Sequence, residues 1–422
     1  MDPDGVDSMR EFIESLREAG LLKEIDEEVQ TTFEAAQMAY QTDEPLLFHH
    51  LSGGHRGVMN LTANRETLAL ALGMDPKGMV PQLAGCRYDG RVIDEGSLAT
   101  SAPDLSEIPV MTHFPKDAGA YITAGIVFSS FGGVENAAIH RMLVAGGDRL
   151  VARIVEGRHT YQLMKAAHAA GRKLPIGIVI GVHPAVTFAS CTRVPTGKEL
   201  AYASELLGGE IGVKTLSNGV RVPDAEYVLE GYLTAETAAE GPFVDITGTY
   251  DPIRNQPVIE ITGVATKSDP IYHGILPAGA EHRLLMGAPY EPRIYQAVAG
   301  VTKVKDVLLT RGGAGYLHAV VQIEKQTEGD GKNAIMAAFA AHTSLKHVVI
   351  VDPDIAIHDP EDVEFAIATR VRGDCDIMVI SGVRGSSLDP SRIADGLNVK
   401  VGVDATMPVG QEDEYIRAGW DA

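Results

Sequence analysis

Apolar positions recur early in the chain at the spacing of a helix. Met9, Phe12, Ile13 and Leu16 stand at i, i+3, i+4 and i+7, with Asp7 or Ser8 placed to cap the start and Gly20 to stop the end. From Pro45 to Asn60 the pattern becomes strand-like, and Glu66 to Leu72 reads as a short helix, so a small α/β unit is expected to about residue 110. Short runs rich in Val and Ile then follow, bounded by Gly, Pro or Asp: Ile122 to Ser130, Ala137 to Val144, Leu150 to Val155, Ile176 to Val182, Tyr227 to Leu233 and Pro257 to Val264. Helical spacing returns within this stretch only at Tyr161 to Ala170 and Glu199 to Leu207, so residues 111–286 are expected to build a barrel-like sheet. Beyond a linking helix at 287–302 (Tyr290 to Ala299), strands and helices alternate. The strands are Val304 to Leu309, Leu317 to Ile323, His347 to Val351 and Asp376 to Ile380, and the helices are Lys332 to Ala341 and Glu361 to Arg370. That alternation predicts a separate α/β domain over 303–390. The polar, Gly-rich remainder, 391–422, reads as a tail that docks on a neighbouring subunit.

Composition narrows the class. With 422 residues, 45% of them hydrophobic and 22% charged, the chain is long enough for two or three structural units and can bury a core. Its 57 acidic residues against 36 basic ones leave a net charge of −21, which argues against a nucleic-acid binder, whose affinity depends on a basic footprint. Cys86, Cys191 and Cys375 are few and far apart, which fits a reducing compartment without a disulfide framework. The acidic start, Met1-Asp2-Pro3-Asp4, is unlike a targeting peptide, and the most apolar stretch, Ile176 to Cys191, is interrupted by His183-Pro184. A soluble cytoplasmic protein with no membrane partner is expected.

Familiar fingerprints are mostly missing. Gly312-Gly313-Ala314-Gly315 does not open a helix after a strand, Gly331-Lys332 lacks the glycine spacing of a phosphate loop, and both read as turns. The central region instead holds polar residues in apolar surroundings. Arg141, in Glu-Asn-Ala-Ala-Ile-His-Arg-Met, needs an anion to offset desolvation of its guanidinium. Glu240 and Asp245 flank a Gly-Pro and could share that arginine, one as its partner and the other as a proton carrier. Asn136, His159 and Glu199 are of types that bind divalent metals such as manganese. Each residue alone also has an ordinary structural role, such as a turn, a surface histidine or a helix-start carboxylate. Simple alternation even places Asn136 and Arg141, five apart, on opposite faces of a straight strand, so either a bulge intervenes or a large ligand meets both.

The ordered runs Pro115-Lys116-Asp117-Ala118-Gly119-Ala120-Tyr121-Ile122-Thr123, Glu135-Asn136, His140-Arg141-Met142, Glu240-Gly241-Pro242-Phe243 with Asp245, and Val349-Ile350-Val351-Asp352-Pro353-Asp354 closely resemble the UbiD family of decarboxylases. The resemblance extends over nearly the whole chain. It implies an α/β (α+β) architecture with a split β-barrel flavin domain and a C-terminal oligomerisation domain. It also implies prenylated FMN as cofactor, supplied by a UbiX-type flavin prenyltransferase. Asn136, His159 and Glu199 match the ligands of a manganese ion that joins protein to cofactor phosphate, with potassium nearby. Arg141, Glu240 and Asp245 match the catalytic set, and Arg141, Ser190 and Lys346 are carried over as further cofactor contacts. His140 stands where many relatives carry an aromatic residue.

The reaction implied is non-oxidative loss of carbon dioxide from a small α,β-unsaturated or aromatic acid, in a homo-oligomer that is a dimer or hexamer. The segment Ile275-Leu276-Pro277 through Glu281-His282-Arg283 to Met286-Gly287 is similar to compact archaeal-type members acting on trans-anhydromevalonate 5-phosphate, which yields isopentenyl phosphate. An aromatic or heteroaromatic acid stays open as substrate, as does a flavin-binding protein without catalysis. Presence of Arg141, Glu240 and Asp245 together disfavours the last, because holding a phosphate requires none of them.

Overall fold

The opening helix shows how closely local chemistry follows the pattern. The computed structural model describes residues 8–393 and 396–418. Ser8 caps the helix Met9–Glu18 in a capping box with Glu11, while Asp7 lies outside the described residues. Met9, Phe12, Ile13 and Leu16 are all buried, packed with Leu47, Val58, Leu61 and Ile271.

The chain divides into two compact units, one of Met1–Pro76 with Cys86–Leu285 and the other of Lys77–Gly85 with Met286–Ala422. The first unit contains a four-stranded sheet in the order Lys23–Val29, Leu46–Leu51, His55–Met59, Ile271–Gly274. Its largest sheet has eight strands. From edge to edge these are Tyr121–Ile122, Met142–Val144, Arg149–Ala152, Arg254–Thr266, Tyr227–Glu240, Leu174–Ile180, Ile126–Phe131 and Val134–Ile139. Among the described residues no ladder joins the two edges, so the barrel-like sheet is not closed. Leu174–Ile180 lies between two neighbours and is buried at every position, which accounts for its continuous apolar run. Ile176, Ile178 and Ile180 join Leu163 and Met164 of the helix His159–Ala169 in one core. Each such side chain contributes about 1.5–3 kcal/mol on leaving water.

The second unit is a five-stranded sheet in the order Lys303–Leu309, His318–Glu324, His347–Val351, Leu397–Ala405, Ile377–Arg384. Two sequence expectations are corrected here. The segment read as a docking tail supplies Leu397–Ala405, an interior strand paired in parallel with His347–Val351 and antiparallel with Ile377–Arg384. Its polar inward positions hid it from a hydrophobicity pattern. Asn398 donates to Asp389 at 2.9 Å, and buried Lys400 donates to the carbonyls of Thr343 and Leu345. Gly331 and Lys332 lie in the first turn of the helix Asp330–Ala341 and form no separate turn. A side chain at Gly331 would strike the Asp404 carboxylate, 2.1 Å from its Cβ position. The run Gly312–Gly315 does form a turn. Among the described residues no helix is long and apolar enough to cross a membrane.

Candidate active site

Arg141 is the hub of a charged cluster in the first unit. The strand Val134–Ile139 ends before it, and a new strand starts at Met142, so His140 and Arg141 form a bend between ladders. The alternation argument fails for that reason, since Asn136 and Arg141 are not on one straight strand. Glu240 ends the strand Tyr227–Glu240, and Asp245 and Asp251 follow on a hairpin in which Phe243 pairs with Asp251. Gly241 turns the chain between them at φ +94°, and a side chain there would press on the Pro252 carbonyl, 3.2 Å away.

Arg141 grips Glu240 with a two-pronged bond, Nε to Oε1 at 2.9 Å and Nη2 to Oε2 at 3.0 Å. Nη2 also donates to Asp251 at 2.9 Å, and Nη1 donates to Asp245 at 3.3 Å. The guanidinium lies over the Phe243 ring, 4.9 Å from its centre. Burial disfavours its charge, but the Glu240 hydrogen bond and the surrounding carboxylates outweigh this and leave its pKa raised. Glu240 is fully buried and also accepts from the Tyr121 hydroxyl at 3.3 Å, which in turn accepts from the Gly241 N–H at 3.1 Å. The structure brings the sequence candidates Arg141, Glu240 and Asp245 together. It missed Asp251, which also pairs with Arg254 and stands 3.9 Å from Arg153. The signal was an acidic residue across the Gly-Pro hairpin.

His282 was missed as well. Its Nδ1 accepts from the Ala278 N–H at 3.0 Å, which puts the ring proton on Nε2 in the neutral form. Burial lowers its pKa, opposed by the charge of Asp245 and reinforced by Arg283 and Arg141, so it stands within the field of this cluster.

A second group surrounds Asn136. Its Nδ2 donates to Thr160 Oγ1 at 3.1 Å, leaving the amide oxygen as the atom it can offer. Thr160 donates onward to His140 Nε2 at 3.0 Å, and His140 Nδ1 donates to the Arg153 carbonyl at 3.1 Å. His140 is therefore a neutral structural link, its pKa pushed down to about 4 by burial. Glu199 opens the helix Glu199–Leu206, is buried, and has no cationic partner among the described residues. Burial pushes its pKa up to about 7, against backbone N–H donors at Glu199 and Ala137. Asn136, Glu199, Ser129 and Lys198 line one cavity of about 270 Å³. The Ser129 and Ser190 hydroxyls are buried without partners. His159 is the exposed first residue of its helix, next to Thr160.

Among the described residues no group of three or more His, Cys, Asp and Glu is placed to hold a metal; the expected set has two of these types plus an Asn. An uncompensated buried carboxylate beside a committed Asn is nevertheless a donor set that fits a hard divalent cation. Lys346 belongs to the second unit, where it pairs with Asp389 at 3.0 Å.

Comparison with known proteins places the chain in a family. Residues 13–86, 89–280 and 283–405 match the N-terminal, Rift-related and C-terminal domain models of 3-octaprenyl-4-hydroxybenzoate carboxy-lyase, UbiD. The chain is 55% identical over 415 residues to the anhydromevalonate phosphate decarboxylase of Methanosarcina mazei, covering 97% of this chain and 98% of that one. The UbiD-class enzyme HmfF from Pelotomaculum thermopropionicum, solved with FMN, superposes with a TM-score of 0.93 at 38% identity, covering 98% of this chain and 97% of that chain. An evolved dimeric form of HmfF, solved with prFMN, gives 0.89 at 36% identity, covering 98% and 97% respectively.

Proposed function

The chain belongs to the UbiD family of carboxy-lyases, and on that premise we propose that it decarboxylates trans-anhydromevalonate 5-phosphate to isopentenyl phosphate and carbon dioxide. The observation that carries the choice of substrate is the full-length, 55% identical relative of that activity, joined to an intact Arg141, Glu240 and Asp245 cluster.

When bound, prenylated FMN supplies the electron sink for the departing carbon dioxide. Arg141 receives the substrate carboxylate, since a guanidinium fork matches a carboxylate and its position is fixed by Glu240. Glu240 is itself immobilised by Tyr121, which keeps the fork aimed. Asp245, on the partly exposed side of the cluster, delivers the proton to the carbon that loses carbon dioxide. Asn136, His159 and Glu199 would hold manganese, whose charge would offset an anionic cofactor in a protein of net charge −21 without a basic surface. Support for this comes from the unpaired Glu199 and the committed Asn136 amide. Ser190 would contact the cofactor or a nearby potassium ion through its unpartnered hydroxyl. The reading includes a UbiX-type prenyltransferase as cofactor supplier and a homo-oligomer, a dimer or hexamer. The edge strand Ile377–Arg384 supports the latter, because Ile377 and Val379 are exposed on it.

The test is turnover by cofactor-loaded protein of the phosphorylated acid against 3,4-dihydroxybenzoate. Carbon dioxide from the first alone supports the reading. Release from the aromatic acid alone overturns it.

A further inference from the structure

Arg141 has five N–H donors, and four are already committed to carboxylates of the protein itself. A substrate carboxylate that docks on this guanidinium therefore meets three resident anions. Glu240 cannot yield, being fully buried and held by two arginine bonds and a tyrosine. Asp245 takes one 3.3 Å bond from Arg141 on Oδ2, has its Oδ1 held by the Ile246 N–H at 2.7 Å, and is the group proposed to move a proton. Asp251 differs from both. The oxygen that accepts from Arg141 Nη2, Oδ2, also accepts from Arg254 Nη1 on the same hairpin and lies 3.9 Å from Arg153 Nε. Asp251 can give up Arg141 without being left as an unpaired charge. It stays ionised because Arg254 and Arg141 together outweigh burial, leaving its pKa lowered.

We infer that Asp251 is an internal stand-in for the substrate carboxylate: it occupies the outer Nη2 donor of Arg141 in the free protein and hands that donor to the substrate while remaining paired with Arg254. The inference rests on the reading that Arg141 receives the carboxylate. It makes Asp251 and Arg254 positioning residues that set affinity for the anion, with no contact to the reacting carbon required. The charged and titratable groups facing Asp251 are Arg141, Arg153 and Arg254, with Glu240 and Asp245 across the guanidinium.

Two substitutions should move affinity in opposite directions. In Asp251→Asn the incoming carboxylate displaces no anion. KM for trans-anhydromevalonate 5-phosphate should fall about three- to tenfold, the net worth of one ordinary hydrogen bond, while kcat does not rise. In Arg254→Gln, Asp251 loses its alternative partner and holds Arg141 more firmly, so KM should rise by a similar factor. The dissociation constant of mevalonate 5-phosphate should shift the same way in each variant of the holoenzyme. That probe carries the same carboxylate and phosphate but no conjugated double bond, so it reads binding apart from turnover. Asp251→Glu, which restores the charge, should return both constants toward wild type. Should Asp251→Asn not fold, Asp251→Ser removes the same charge and carries the same expected sign. A merely structural role would weaken binding in both variants, and that outcome, or no change in either, overturns the inference. Arg141→Gln separates the two levels: unchanged binding of the probe there sinks the parent reading, whereas lost binding there with no opposite shifts at 251 and 254 sinks the stand-in alone.

Discussion

Two polar sites in the first unit lie at either end of the strand Val134–Ile139 and its following bend, yet they are built on opposite principles. Around Arg141 every charge has a counter-charge, with three carboxylates distributed over Arg141, Arg254 and Arg153. Around Asn136 the reverse holds: Glu199 is buried with backbone donors only, and the Ser129 hydroxyl has no partner. A compensated cluster is stable as it stands and must exchange partners to work. An uncompensated carboxylate costs stability until a cation arrives. On the proposed reading, the compensated cluster is the one that does chemistry and the uncompensated one is the one that would hold a metal.

The largest effect expected from this contrast is on turnover. Glu240→Gln should lower kcat by about 10²–10⁴-fold while cofactor and metal stay bound, read by single-turnover assay beside the absorbance of the bound flavin. Retained activity would show that the compensated cluster is structural.

Stability should then separate the sites by sign. In metal-free protein, Arg141→Gln leaves carboxylates buried without their cation and should cost about 3–5 kcal/mol. Glu199→Gln removes an unpaired buried charge and should be neutral or stabilising by about 1 kcal/mol, while abolishing the gain that manganese gives the wild type. Denaturant midpoints of both variants with and without manganese check this; equal destabilisation in the two would erase the distinction.

His113 is the exception that sharpens the rule. Its ring packs T-shaped against Phe243, the ring over which Arg141 lies, both ring nitrogens are buried without partners, and burial pushes its pKa down to about 3. The folded protein keeps this imidazole neutral, whereas the unfolded chain protonates it below about pH 6.5. Its contribution is therefore fully present above that pH and is lost as pH falls toward 3, by up to about 1.4 kcal/mol per pH unit. His113→Leu should flatten the slope of unfolding free energy between pH 6 and pH 4.

The smallest effect concerns the link between the sites. Thr160→Val breaks the chain from Asn136 to His140 and should cost about 1–2 kcal/mol, with weaker manganese binding and an unchanged KM for substrate. An equal loss in both sites would mean that they act as one network.

Much of this was legible in the residues. Helical spacing located the opening helix, and bounded Val/Ile runs located most strands of the large sheet, since burial there follows periodicity. Motif order located Arg141, Glu240 and Asp245. What stayed hidden depended on long-range pairing. Asp251 meets Arg141 across 110 residues of chain, and Thr160 meets Asn136 only because a helix start packs on a strand. The interior strand Leu397–Ala405 was lost because Asn398 and Lys400 find their partners elsewhere in the second unit. The apparent conflict between Asn136 and Arg141 vanished once the strand was seen to end at Ile139.

The central claim is that the Arg141 cluster decarboxylates a phosphorylated unsaturated acid. The most direct measurement is carbon dioxide release from trans-anhydromevalonate 5-phosphate by cofactor-loaded wild type and Glu240→Gln side by side. The account predicts carbon dioxide and isopentenyl phosphate in equal amounts from the wild type and neither above background from the variant. Equal release from both proteins, or none from the wild type with flavin and manganese bound, would contradict it.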